Sequence, residues 1–372
     1  QAAKANFYSA AINDSTPAGI MEHVGTIEVI QDWDSVRAAL GYEKVSFAGI
    51  SYGSFVGMAY AAQYPERVSQ FVMDAVFPHG MPDQDMVTAQ VAAANRLVQR
   101  ADAFCLNDPT CPFHGQGNGS VVKAWQTVLA MAEQAPLSAL NCGRGKGCNS
   151  PVTARDLQQG AAVLFNTIPD FPLFNIGLNA SLNGDASIFA YQPDVDIRDT
   201  VFSPLVCSDL KFDENLKTFA GFNNLSVNSQ SNDPLHIVYS AIWQYSLQCS
   251  VWPFSVPERT ALPTDLKVMW MTSDFDLNLP TELATFAWQQ APNSTLVIRH
   301  GDDHTSILFP PPAATAGDVA RDFLRTGVMP GAREDDQVTV IVPGRTRGPV
   351  PGTYDVPTGA VAGDMSAVEK IT

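Results

Sequence analysis

No apolar run in the chain approaches the roughly 20 residues that a membrane-crossing helix needs. Cations are scarce as well: 22 Lys and Arg stand against 38 Asp and Glu, a formal net charge of -16. That excess of acid argues against a nucleic-acid partner and against anionic membrane surfaces. Histidine and cysteine number six each. The close cysteine pairs, Cys105/Cys111 and Cys142/Cys148, are spaced wider than zinc knuckles and have no histidine pair beside them. Neither a metal nor a cofactor is expected on that pattern. An initiator methionine, a signal-like segment and an internal repeat are all missing, so a chain starting at Gln1 reads as a processed product or a fragment. What remains is ordinary globular material. With 372 residues and 45% apolar content, the chain can bury a large core, as two domains or as one with a large insertion.

One stretch organises the rest: Lys44 to Gly57, K-V-S-F-A-G-I-S-Y-G-S-F-V-G. A strand from Val45 to Ala48 leads into Gly49-Ile50-Ser51-Tyr52-Gly53, and a small-residue helix follows from Ser54 to about Tyr64. G-x-S-x-G between strand and helix is a nucleophile elbow, a tight turn that lifts one serine hydroxyl clear of the backbone. The flanking glycines are read as positions where a Cβ would crowd neighbouring backbone. The N–H of Tyr52, at the helix start, is placed to meet a developing oxyanion.

Around the elbow the pattern is α/β. Val29, Trp33, Val36 and Leu40 predict a helix from Thr26 that Gly41 stops. Val68 to Val76 reads as the next buried strand, completing a parallel βαβ unit across residues 1–84. Residues 85–252 change character. Helices are expected over 85–104, over 120–134 and from Thr153, whose capping-box partner is Asp156. This stretch is read as a mainly helical cap. The core resumes over 253–328, with strands at Leu266–Met271 and Thr295–Arg299 and helices at 281–291 and 317–326. The Pro/Gly-rich residues 329–372 are read as an extended tail with one short strand at Val338–Val342.

A serine nucleophile needs a base, and the base needs an orienting carboxylate. The loop after strand 266–271 offers Asp274 and Asp276; the loop after strand 295–299 offers His300 and His304. Five N-x-S/T sequons, at Asn13, Asn118, Asn179, Asn224 and Asn293, join the even cysteine count in favouring an oxidising, glycosylating secretory route.

At this point the residues resemble a family. Over about 26–330 the chain is similar to the C-terminal two-thirds of a secreted tripeptidyl-aminopeptidase-like alpha/beta-hydrolase, a relative of the prolyl aminopeptidases. The likeness rests on R-A-A-L-G-Y-E-K-V-S-F-A-G-I-S-Y-G, on Y-P-E-R-V, on Cys207-Ser208-Asp209, on Cys249-Ser-Val-Trp-Pro, and on the two late loops. Ser273 to Pro280 takes the place of the family's G-x-x-D-x-x-T-P, which matches the acid to Asp276. His300-Gly301-Asp302-Asp303-His304 takes the place of D-G-x-G-H, which matches the base to His304. Ser273, Leu279 and Asp303 depart from the usual Gly, Thr and Gly.

The resemblance implies an alpha/beta-hydrolase core with a mostly parallel sheet, incomplete at its N-terminal side, and a large helical cap insertion. Relatives carry strands and a Gly/Pro-rich oxyanion loop before the elbow, yet nothing like H-G-G or G-G-P-G precedes Ser51. One oxyanion donor is worth about 3–4 kcal/mol of transition-state stabilisation, so a missing N-terminal segment of the same protein is an expected partner. The implied reaction is serine hydrolysis through an acyl-enzyme by Ser51, His304 and Asp276, on peptides with a free N-terminus. Asp209, Asp213 and Glu214 are candidate anchors for the substrate ammonium. A secreted carboxylic-ester hydrolase and an inactive binding protein are the alternatives. The cysteines are expected to pair as Cys105–Cys111, Cys142–Cys148 and, across the end of the cap, Cys207–Cys249.

Overall fold

In the computed structural model, all residues are described except 1, 143–147, 149, 191–196, 259, 309–314 and 359–372. The chain opens with α1 (Ala2–Asp14), α2 (Thr26–Ala39), β1 (Val45–Ile50), α3 (Tyr52–Gln63) and β2 (Val68–Asp74). Seven helices follow: α4 (Asp83–Asn107), α5 (Ser120–Gln134), α6 (Ala154–Leu164), α7 (Phe171–Leu182), α8 (Ile197–Asp209), α9 (Phe219–Ser229) and α10 (Ala241–Cys249). The core then resumes with β3 (Val268–Ser273), α11 (Thr281–Gln290), β4 (Thr295–Arg299) and α12 (Thr315–Thr326), and ends with β5 (Arg333–Glu334) and β6 (Val338–Ile341).

The strands form one sheet in the order β1-β2-β3-β4-β6-β5. The first four run parallel; β6 pairs antiparallel with β4, and β5 with β6. Every residue of β3 and β4 is buried, and their apolar runs, Val268–Met271 and Leu296–Ile298, suit strands covered on both faces. Alternate side chains serve opposite layers. Trp270, Phe71 and Leu296 pack with Met58, Ala284 and Trp288 from α3 and α11, whereas Met269, Met271 and Val297 pack with Ala320 and Phe323 from α12. The register sets Ile50 beside Asp74, Asp74 beside Met271, and Ser273 beside Arg299. The C-terminal ends of all four parallel strands therefore share one rim.

The cap has a core of its own, built on Trp125, Phe165, Phe171, Phe174 and Phe189. A second cluster joins cap to core, where Phe55, Ala75 and Phe77 meet Val87, Val206, Leu216 and Ile242. Thr153 and Asp156 form the expected capping box at the start of α6. All three disulfides occur in the expected pairing, with Cα–Cα separations of 5.3, 5.9 and 5.0 Å in chain order. Among the described residues no helix is long and apolar enough to cross a membrane.

Two stretches differ from the sequence reading. Residues 2–14, too weakly patterned for an assignment, form α1, whose only buried side chain is Tyr8. The tail is more than a surface extension. After β5 and β6 join the sheet, Thr353 and Val356 are buried, and Val356 packs in the core of the cap. The last part of the predicted tail, 359–372, lies outside the described residues. At the other end of the sheet β1 is an edge strand; Trp33, which packs on its Phe47, is exposed, as are Val36, Leu40 and Tyr42 in the chain just before it.

Candidate active site

Ser51 stands between β1 and α3 with φ 56° and ψ -123°, a left-handed φ that only a tightly held turn imposes on serine. Gly49 is required there, because a Cβ would lie 2.5 Å from the carbonyl oxygen of Gly53. The same reason does not hold for Gly53 itself. A Cβ at that position meets nothing within 4 Å. The turn is fastened by Ser51 N–H donating to Asp74 O at 2.9 Å. The Ser54 hydroxyl adds a second fastening: it donates to Ser51 O at 2.6 Å and accepts from Phe77 N–H at 2.8 Å. The N–H of Tyr52 belongs to the first turn of α3, where backbone donors point along the helix axis.

The loops after β3 and β4 bring two acid–histidine pairs to the same rim. Asp276 Oδ2 meets His304 Nδ1 at 2.8 Å, with side-chain exposures of 0% and 11% that shut bulk water out of the contact. The other oxygen of Asp276 accepts from Asn278 N–H at 2.8 Å and Leu279 N–H at 3.0 Å, which fixes the carboxylate plane. Asp274 goes elsewhere: its Oδ2 meets His300 Nδ1 at 2.7 Å, and His300 Nε2 meets the Thr339 hydroxyl at 3.0 Å. The candidates thus sort into Asp276–His304 and Asp274–His300. Burial by itself would lower the pKa of His304; the charge and hydrogen bond of Asp276, with the charge of Asp74, outweigh it and raise the value.

Several groups that hold the histidine loop were not singled out from the sequence. Asp74, wholly buried at the end of β2, accepts from Ser306 N–H at 2.6 Å and Ile307 N–H at 2.7 Å. Arg299, also buried, donates to the carbonyls of Asp303 and Thr305, each at 3.3 Å. These bonds bracket Thr305, held at φ 81° where a β-branched residue rarely sits. Asp303 pairs with Arg299 at 2.8 Å; burial pushes its carboxyl up to about 6 against the pull of that guanidinium. The one sequence signal for Asp74 is an acid closing the apolar strand V-S-Q-F-V-M-D.

The acids considered for the substrate ammonium lie in different surroundings. Asp209 is buried and accepts from Thr26 N–H at 2.8 Å, from the Thr26 hydroxyl, and from the Tyr52 hydroxyl at 2.6 Å. Asp213 and Glu214 are exposed and line an open cleft of about 580 Å³ with Asp83, Gln84 and Asn224. Met81, Phe212, Leu216 and Leu225 also line that cleft and belong to the apolar cluster that packs Phe55 and Tyr52. Asn13, Asn118, Asn179, Asn224 and Asn293 are all exposed. Among the described residues no group of three His, Cys, Asp or Glu is arranged to hold a metal.

Comparison with known proteins agrees with this fold. A model described as alpha/beta hydrolase fold matches residues 9–129, which contain Ser51, and one described as TAP-like protein matches 236–338, which contain Asp276 and His304. The tripeptidyl aminopeptidase of Streptomyces lividans is 25% identical over 309 residues, 75% of this chain and 52% of that protein. Serine protease Hip1 of Mycobacterium tuberculosis is 34% identical over 122 residues, 31% of this chain and 22% of that protein. The chain thus spans about half the length of the aminopeptidase and less of the protease. With a mostly parallel sheet, an elbow serine and late acid and histidine loops, it has the alpha/beta-hydrolase fold and is a relative of the TAP-like proteins.

Proposed function

We propose that this chain carries the nucleophile, base and acid of a secreted serine hydrolase that releases short peptides from free N-termini. The observation that supports it most is the Asp276–His304 pair, buried at 2.8 Å on the rim that also carries the Ser51 elbow. In this reading Ser51 Oγ attacks the scissile carbonyl while His304 takes its proton and then delivers it to the leaving amine. Water repeats the cycle on the acyl-enzyme. Asp276 holds the imidazole in the tautomer whose Nε2 accepts, and the Tyr52 N–H is one donor to the oxyanion.

The preference for peptides over esters follows the names of the matched aminopeptidase and protease. Asp213 and Glu214, facing water in the cleft, are the acids we assign to the substrate ammonium; Asp209 is assigned to holding Tyr52. Secretion is supported by the three disulfides and by the exposure of all five sequon asparagines. Among the described residues β1 pairs on one side only, and its other edge, with Trp33 exposed against Phe47, fits a further strand-bearing segment of the same protein.

A fluorophosphonate probe on the full-length secreted protein tests the hydrolase reading. Wild type should be labelled and Ser51→Ala should not. A tripeptide anilide with a free N-terminus should be cleaved severalfold faster than its N-blocked form, because the blocked form offers no ammonium to Asp213 and Glu214 and an exposed ion pair is worth up to about 1 kcal/mol. A wild type that resists the probe would refute the hydrolase, and turnover of aryl esters without anilides would refute the peptidase.

A further inference from the structure

Arg100 lies inside α4 with its side chain wholly buried. A buried guanidinium has five N–H donors to satisfy, and each unsatisfied one is costly. Here all are used. Nε and Nη2 form a fork on Asp302, the latter at 3.0 Å from Oδ2. Nη1 donates to the carbonyls of Thr353, at 2.7 Å, and Val356; Nη2 also donates to Pro357 O at 2.7 Å. The guanidinium carbon lies 4.6 Å from the centre of the Phe275 ring. Asp302 is two residues before His304, and Phe275 is the residue before Asp276. One cap side chain therefore touches both loops that carry the acid–base pair, and its other donors close on the C-terminal segment. That segment is itself tied down. The Tyr354 hydroxyl donates to Asp102 Oδ2 at 3.0 Å, the Thr353 hydroxyl to Gln99 Oε1 at 3.0 Å, and Arg347 to Thr281 O at 2.9 Å.

We propose that Arg100 is a positioning residue for the Asp276–His304 pair, and that residues 353–357 act as a strap that keeps it aligned. The inference rests on the reading of Ser51, His304 and Asp276 as the catalytic set. The geometry gives the strap a specific job. Its three carbonyls take the donors that Asp302 cannot, so the guanidinium has one orientation with every donor satisfied. In that orientation it holds Asp302 and Phe275 at a fixed spacing, and with them the two loops whose tips must meet within hydrogen-bond distance. A lysine at position 100 keeps the charge and loses the fork, because an ammonium is a point donor. The strap can be loosened separately by Thr353→Val with Tyr354→Phe, which removes two tethers and leaves Arg100, Asp302 and every buried charge in place.

The full-length protein is assayed as wild type, Arg100→Lys, the strap double variant and Ser51→Ala, with thermal midpoints taken alongside. Loss of alignment should lower kcat about 10- to 100-fold in Arg100→Lys with KM within about twofold, since small misplacements of reacting groups act on the chemical step. The strap variant should fall in the same direction by a smaller factor. Both should slow fluorophosphonate labelling in proportion, well below their melting temperatures. A role in stability alone would lower the midpoint and leave kcat unchanged. If the folded variants keep kcat and labelling rate within about twofold of wild type, the inference is overturned. If Arg100→Lys does not fold, the strap variant decides by the same criterion. An active Ser51→Ala would instead overturn the catalytic reading, whatever the other variants do.

Discussion

Asp276→Asn is the sharpest perturbation the site allows, because asparagine can keep everything about Asp276 except what catalysis needs. The amide oxygen can still accept from Asn278 and Leu279, now at 2.8 and 3.0 Å, so the loop should hold its shape. The amide nitrogen then faces His304 Nδ1, which must turn from donor to acceptor. The ring proton moves to Nε2, and the imidazole can no longer accept from the serine hydroxyl. In serine proteases that tautomer change costs about 10⁴ in kcat. At about 1.36 kcal/mol per decade this is roughly 5.5 kcal/mol of barrier. Water cannot stand in for the lost charge, because the pair is 0% and 11% exposed. Asp74 is another acid whose charge raises His304, by less than Asp276 does. Asp274→Asn is the control: Asp274 serves His300, and its loss should leave kcat/KM within about threefold of wild type. Turnover of a free tripeptide anilide, labelling rate and thermal midpoint together decide the matter. An Asp276→Asn enzyme within tenfold of wild type, or an Asp274→Asn enzyme that falls further, would refute the assignment.

Three further outcomes are expected. Because Asp276 and Asp74 hold His304 above its ordinary 6.5 and a general base must be neutral, kcat/KM should rise with pH through a midpoint above that value; Asp74→Asn should move the midpoint down, and a pH–rate profile that stays put would contradict this. Cys207→Ser with Cys249→Ser opens a loop with a sequence separation of 42 and should cost about 4 kcal/mol in the chain-entropy account, read by denaturant melts. Alkylation of both cysteines without prior reduction would rule that bridge out. The exposed edge at β1, with Trp33 on its Phe47 and with Val36, Leu40 and Tyr42 exposed just before it in the chain, should make residues 1–372 expressed alone self-associate and turn over poorly; a monomer with full activity in sedimentation and kinetic assays would refute it.

The parts of this molecule that were legible in the sequence are those where one local rule decides. The elbow needs a glycine before its serine, and Gly49 shows why in a single contact of 2.5 Å. The buried strands β3 and β4 announce themselves as apolar runs, and α5 spans the residues its Val121, Trp125 and Val128 spacing predicts. Legibility fails where the stabilising partner is far along the chain. The segment A-A-K-A-N-F-Y-S-A-A-I-N-D has no apolar stripe to mark it as helix. It is held instead by Tyr8, whose hydroxyl lies 3.3 Å from Cys207 Sγ and whose ring packs edge-on to Trp252 at 4.9 Å.

The same reasoning explains why the supports of the candidate site are less legible than its proposed centre. Ser51, Asp276 and His304 occupy loop ends whose positions follow from strand order, so motif and order suffice to name them. Asp74 and Arg100 are ordinary residues in their own segments and acquire meaning only from contacts made 232 and 202 positions away; Asp209 stands out in the sequence as a candidate ammonium anchor, and only its bonds to Tyr52 and to Thr26, 183 positions away, give it another role. Each is a buried charge whose hydrogen bonds cross from one part of the chain to another. Removing one partner from such an arrangement leaves the other uncompensated, at a cost of several kcal/mol, so these bonds fix geometry between distant parts of the chain even where they add no net stability over apolar contact. The cap is therefore built into the geometry of the acid–base pair as well as lying over it.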